Sequence, residues 1–201
     1  MNKWTKLLFV CGLGLIVVAI LLAVIWMRQP AKVEPTPFVM QTMGGQNLGF
    51  EGEYVAWEGA EERKIAPGWQ LWYKIDWEDE KDTLAPPRAE AASSIRRQGE
   101  KAQHLYWKDG KNFDACVYQQ VGGLVAGDYV RFSAWAKVDT DMGVHDMQTR
   151  LGLDPSGGTD PLSIQYETHS ENWDSYTMGN GEWEQLSVTM RADSDTATLY
   201  A

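Results

Sequence analysis

Indole rings are the most conspicuous chemical groups in this chain. Beyond residue 46 they belong to Trp57, Trp69, Trp72, Trp77, Trp107, Trp135, Trp173 and Trp183. An aromatic face packs well against the axial C–H groups of a pyranose ring while flanking polar side chains bond its hydroxyls. The same rings can equally fill a core or anchor a protein interface. Local pattern separates them. Trp135 projects with Arg131 and Lys137, opposite an apolar row. If Arg150 stands on a neighbouring strand, an aromatic platform and a bidentate donor come together. Trp72, Tyr73 and Trp77 fall in a stretch without clear alternation, as do Trp173 and Tyr176. Aromatics in such stretches either line a ligand cleft at a loop rim or fold back over the core. Trp69, directly after Pro67-Gly68, is expected to plug the core, with Trp183 and Trp107 buried as well.

Catalytic constellations are missing. His104, His145 and His169 lie far apart and in no metal-ligand spacing. No nucleophile elbow, P-loop or dinucleotide fingerprint occurs. Consecutive acids such as Glu61-Glu62 and Glu78-Asp79-Glu80 mark solvated loops rather than a paired-carboxylate cleft. The expectation is therefore a protein that is not an enzyme. Asp154 and Asp160 flank a Gly-rich loop that could hold a cation, although a structural turn is the plainer reading. Cys116 reads as a small buried side chain in a strand.

Strands must position these groups. From Val130 to Val138 one face carries Val130, Phe132, Ala134, Ala136 and Val138, and the other carries Arg131, Ser133, Trp135 and Lys137. Thr149, Leu151 and Leu153 alternate with Gln148, Arg150 and Gly152. Leu186, Val188 and Met190 alternate with Gln185, Ser187 and Thr189, and Ala197, Leu199 and Ala201 with Thr198 and Tyr200. Such one-sided strands belong to stacked antiparallel sheets. Turn residues separate them at Lys108 to Lys111, Ala126 to Asp128, Asp154 to Gly158 and Gly179 to Gly181. Only the alanine-rich Arg88 to Ile95 suggests a short helix. The pattern predicts an all-β domain, a jelly-roll β-sandwich.

Ahead of that domain, Leu7 to Trp26 is an uninterrupted apolar run bracketed by Trp4 and Trp26. At about 1.5 Å rise per residue it spans roughly 30 Å, the thickness of a bilayer core. Bulky residues replace the small ones a signal peptidase wants. Residues 1–28 are thus expected to be a cytoplasmic stub and one N-terminal transmembrane helix, an uncleaved signal anchor. Residues 29–46, with Pro30, Pro35, Pro37 and Gly44-Gly45, read as a tether, and residues 47–201 as the sandwich. The expected location is the cell membrane, single-pass, with the C-terminal domain extracellular. A net charge of −10 disfavours nucleic acid as a partner.

Several phrases together resemble carbohydrate-binding modules with a galactose-binding-domain-like jelly roll, the kind attached to xylanases and cellulases. Asn47-Leu48-Gly49-Phe50-Glu51 is similar to their opening strand, and Ala66-Pro67-Gly68-Trp69 to the segment that follows. Gly127 to Trp135 resembles their G-x-x-Y-x-F-S-x-W strand, and Trp183 to Val188 their penultimate strand. Val117 to Val121 and the Asp154 to Pro161 loop are similar to uncharacterised bacterial surface proteins. The resemblance implies non-catalytic binding of a polysaccharide or other glycan. It also implies a structural calcium for which Glu51 matches the opening-strand carboxylate. The family's last strand has no counterpart, so the sandwich is expected to be a fragment lacking that strand, the alternative being that Ala201 lies on an exposed edge. Two rivals stay open: a protein-interaction or surface-assembly module, and the targeting domain of a truncated anchored glycoside hydrolase.

Overall fold

A computed structural model describes residues 47–75, 84–107, 112–139, 148–164, 173–177 and 181–201, with backbone alone for residues 175–177. The expected transmembrane helix and tether, residues 1–46, lie outside the described residues. By its contacts the chain divides into Met1–Gln41 and Thr42–Ala201, and the described residues belong to the second unit. No helix among the described residues is long and apolar enough to cross a membrane.

Among the described residues eleven strands follow in order: β1 Val55–Trp57, β2 Ala60–Ile65, β3 Gln70–Tyr73, β4 Arg88–Ala92, β5 Ala102–Tyr106, β6 Ala115–Gly122, β7 Tyr129–Lys137, β8 Gln148–Asp154, β9 Trp173–Thr177, β10 Trp183–Arg191 and β11 Thr196–Tyr200. A 3₁₀ turn, Pro161–Ser163, lies between β8 and β9. They form a four-stranded sheet β1-β2-β4-β5, a two-stranded ribbon β10-β7, and a five-stranded sheet β3-β6-β11-β8-β9. The domain is all-β and sandwich-like.

Alternation in sequence becomes one shared core. Leu71, Val117, Leu151, Leu153, Ala197 and Leu199 point inward from the five-stranded sheet, Phe132, Leu186, Val188 and Met190 from the ribbon, and Ile65 and Ala89 from the four-stranded sheet. Every buried CH₂ of this set contributes about 0.8 kcal/mol to folding. Trp69 fulfils its expected role as a plug at 3% exposure. Its ring stacks on Phe50 at 4.6 Å and its Nε1–H donates to the Asn47 carbonyl at 3.0 Å.

Three expectations are corrected. Arg88 to Ile95 is not helical: Arg88–Ala92 is strand β4, parallel to β2 and antiparallel to β5. Pairing on both sides and burial of Ala89 outweigh the helix preference of alanine. Asn47 to Glu51 is a turn rather than an opening strand, because Asn47 and Phe50 take φ of 56° and 59°. The Asn47 side chain holds that turn, accepting from the Glu51 amide at 2.7 Å and donating to the Pro67 carbonyl at 3.2 Å. Finally, β11 is no edge. It lies between β6 and β8, and Ala201 exchanges both backbone bonds with Val117 at 2.9 Å.

Candidate functional site

Register decides which groups share a face. On the ribbon, Tyr129, Arg131, Ser133, Trp135 and Lys137 of β7 stand opposite Arg191, Thr189, Ser187, Gln185 and Trp183 of β10. Since Phe132, Leu186, Val188 and Met190 fill the core, these are the outward positions. Trp135 and Arg131 are therefore on one face, as the alternation predicts. Trp135 is 37% exposed. The Arg97 guanidinium, from the segment after β4, lies 4.6 Å from the centre of its ring. Arg131 Nε donates to the Ser187 hydroxyl at 2.9 Å, and Arg191 lies 5.4 Å from the ring of its cross-strand neighbour Tyr129. Lys137 meets Asp139 at 3.7 Å at one end. No Asp or Glu occupies an outward position of either strand.

Arg150 does not join this face. Its strand β8 sits between β11 and β9 in the other sheet, and its Nε and Nη2 both donate to Gln148 Oε1, at 2.9 and 2.7 Å. Alternation fixes which side of a strand a residue occupies but not which strand lies next to it.

Trp72 and Trp173 share a second surface, the outer face of the five-stranded sheet. Gln70, Tyr118, Tyr200, Gly152 and Trp173 align across it in one row. Trp72 pairs with Cys116 two residues along. The Trp173 ring lies over Gly152 and reaches Tyr200, 6.0 Å between centroids. The segment after β8 covers much of this row: Tyr200 donates its hydroxyl to the Gly158 carbonyl at 2.6 Å and is fully buried, and Gln120 Nε2 bonds Gly157 at 2.7 Å. Trp72 and Trp173 are half-buried rather than open. Cys116 is half-buried, and burial, then the charges of Asp114 and Asp160, push its thiol up to about 12, which favours the protonated form.

Tyr73 packs against the core, its ring edge-on to Trp57 at 5.9 Å. Tyr176 pairs in register with Thr149. Trp77 lies outside the described residues. Trp183 is half-buried on the outward side of β10, against the expectation of core. Trp107 is half-buried too; with Glu62, Arg63, Pro86, Pro87 and Arg88 it lines a groove of about 350 Å³ that sequence patterns did not indicate. Arg97 was equally illegible, because its contact with Trp135 is long-range and its own segment has no periodicity.

The calcium expectation rests on Glu51, whose carboxylate faces the backbone before β5. Glu51 Oε1 already accepts the Glu100 amide at 2.9 Å, and among the described residues no group of three or more His, Cys, Asp or Glu could hold an ion. Asp154 and Asp160 serve turns: Asp154 Oδ1 accepts from Ser156 N at 2.8 Å, and Asp160 Oδ1 from Leu162 N at 3.0 Å.

The ribbon's outer face offers a ring, guanidinium donors, hydroxyls and an amide. Its outward positions carry no carboxylate. No family model matches the chain, and no curated protein matches it.

Proposed function

We propose that this protein is a membrane-anchored, extracellular, non-catalytic glycan-binding module with a jelly-roll sandwich. Trp135 carries the reading: it stands exposed beside Arg131, Ser133 and Gln185 on a solvent-facing strand pair whose opposite side fills the core. A ring and polar donors on one rigid sheet suit a polyhydroxylated chain, since rigidity limits the ordering cost of binding. Trp72 and Trp173 are a lesser contribution because the segment after β8 packs over their sheet.

The test is a glycan array probed with the full chain and with Trp135→Ala. Loss of binding with an unchanged melting temperature supports the proposal. If the wild-type chain captures no glycan, the proposal fails. For the anchor, the chain should stay with membranes after alkaline carbonate washing, and protease added to intact cells should remove residues 47–201.

A further inference from the structure

We propose that the outer face of the β7–β10 ribbon binds an acidic polysaccharide, with Arg97, Arg131 and Arg191 as its charge contacts. This inference rests on the glycan-binding reading above and narrows its ligand class.

The charge distribution points there first. The chain as a whole carries −10, yet the outward positions of the ribbon hold Arg131, Arg191 and Lys137 and no acid, with Arg97 laid over Trp135. On the four-stranded sheet Arg63 pairs with Glu62 at 3.3 Å and Lys64 with Glu61 at 3.4 Å, and at the ribbon's end Lys137 pairs with Asp139. Arg97, Arg131 and Arg191 instead rest on an indole, a serine hydroxyl and a phenol ring, and none forms an ion pair among the described residues. A guanidinium has five N–H donors, so one resting over a ring or bonded once to a hydroxyl still has donors to offer carboxylate or sulfate oxygens.

Geometry points the same way. The Arg191–Tyr129 row and the Arg131–Thr189 row are one step of two residues apart, and the Trp135 row lies two steps further. At about 3.3 Å per residue the cations are strung along roughly 20 Å, which suits a polymer with recurring anions rather than a single ring. Ser133, Ser187, Thr189 and Gln185 fill the positions between and can bond hydroxyls. A neutral sugar stacking on Trp135 would have to displace Arg97 from that side of the ring, whereas an acidic one gains from it.

The negative remainder of the domain does not forbid this. At physiological salt the Debye length is about 8 Å, so a thin chain lying on the ribbon is governed by the charges directly beneath it. A nucleic-acid duplex, with a charge every ~1.7 Å, would overhang the acidic surroundings.

The experiment uses the full chain in a neutral detergent, titrated calorimetrically with polygalacturonate, dextran sulfate and uncharged dextran at low and high NaCl. We expect one or both acidic polymers to bind, weakening as salt rises, and uncharged dextran to bind far less. Which acidic polymer is preferred assigns the carboxylate or sulfate. Arg131→Gln and Arg97→Gln should each weaken binding about tenfold, the worth of one charge-assisted contact. Lys64→Gln, on another sheet, should not. Arg97 lies outside the strands, so its variant reports even if Arg131→Gln fails to fold. Equal or better binding of uncharged dextran overturns this inference while leaving the glycan reading intact. Failure of all three polymers, with an empty array, removes both. Preferential binding of phosphatidylglycerol vesicles or of RNA also overturns it.

Discussion

Gly152 lacks a side chain because Trp173 occupies the space one would need. A Cβ built there would come within 2.6 Å of Cε3 of that indole. Gly152→Ala should therefore push the ring off its place beside Tyr200. The expected loss is about 1–3 kcal/mol, as for other overpacked sites, read as a lower urea midpoint with altered tryptophan fluorescence. An Ala variant as stable as wild type would mean the indole moves aside at no cost. Cys116 makes a second test at this scale. With its thiol pushed up to about 12 by burial, it should resist iodoacetamide at pH 8 in the folded chain and react readily in urea. Reaction at similar rates in both states would contradict the packing described. Trp69 was legible as a plug because its local phrase, Pro67-Gly68-Trp69, sets it at a turn beside the core. The partnership of Gly152 with Trp173 was not, since it exists only once β8 and β9 are in register.

Strands were readable wherever one face is buried and the other wet. β7, β8, β10 and β11 all have that property, and each was located from alternation within a residue or two. β4 was misread, because three alanines within Arg88–Ala92 favour a helix locally and only β2 and β5 overrule them. Neighbour relations were beyond sequence for the same reason: alternation says in or out, never beside whom. The ribbon illustrates what a sheet order adds. β9 is bound to β8 on one side, while its Asp174 carboxylate accepts the Ser187 amide of β10 at 2.6 Å. That bond ties the five-stranded sheet to the ribbon carrying Trp135. Asp174→Ala should cost about 1–3 kcal/mol by leaving the amide without its acceptor. Amide hydrogen exchange along β10 should quicken, at Ser187 above all. Unchanged protection there would show that the ribbon is held by its apolar side alone.

At the scale of the whole molecule, the titration of buried groups gives one direction of pH dependence. Burial first, then Glu51, raises Tyr54, and burial first, then Asp154, raises Tyr200, both from an ordinary 10.0. Burial, with Cys116 second, raises Tyr118, and Cys116 itself moves from 9.0 to about 12. Each group holds its proton more tightly folded than unfolded, so above its ordinary value the folded chain binds more protons than the unfolded one. The stability tied to these groups is complete below about pH 9 and is lost as pH climbs through their raised folded values. The net charge of −10 grows more negative over the same range, and self-repulsion adds to the loss. Urea midpoints should thus vary little between pH 7 and 8.5 on account of these groups and fall steadily above. Salt should recover the repulsive part only. Tyr200→Phe separates the contributions. At pH 7 it removes the bond to Gly158, costing about 1 kcal/mol, but it also deletes a titrating phenol, so its decline with pH should be shallower than that of wild type. A midpoint in high salt that stays level from pH 9 to 11, or a Tyr200→Phe curve parallel to wild type, would mean these phenols titrate freely and the sheet's outer row is open to solvent.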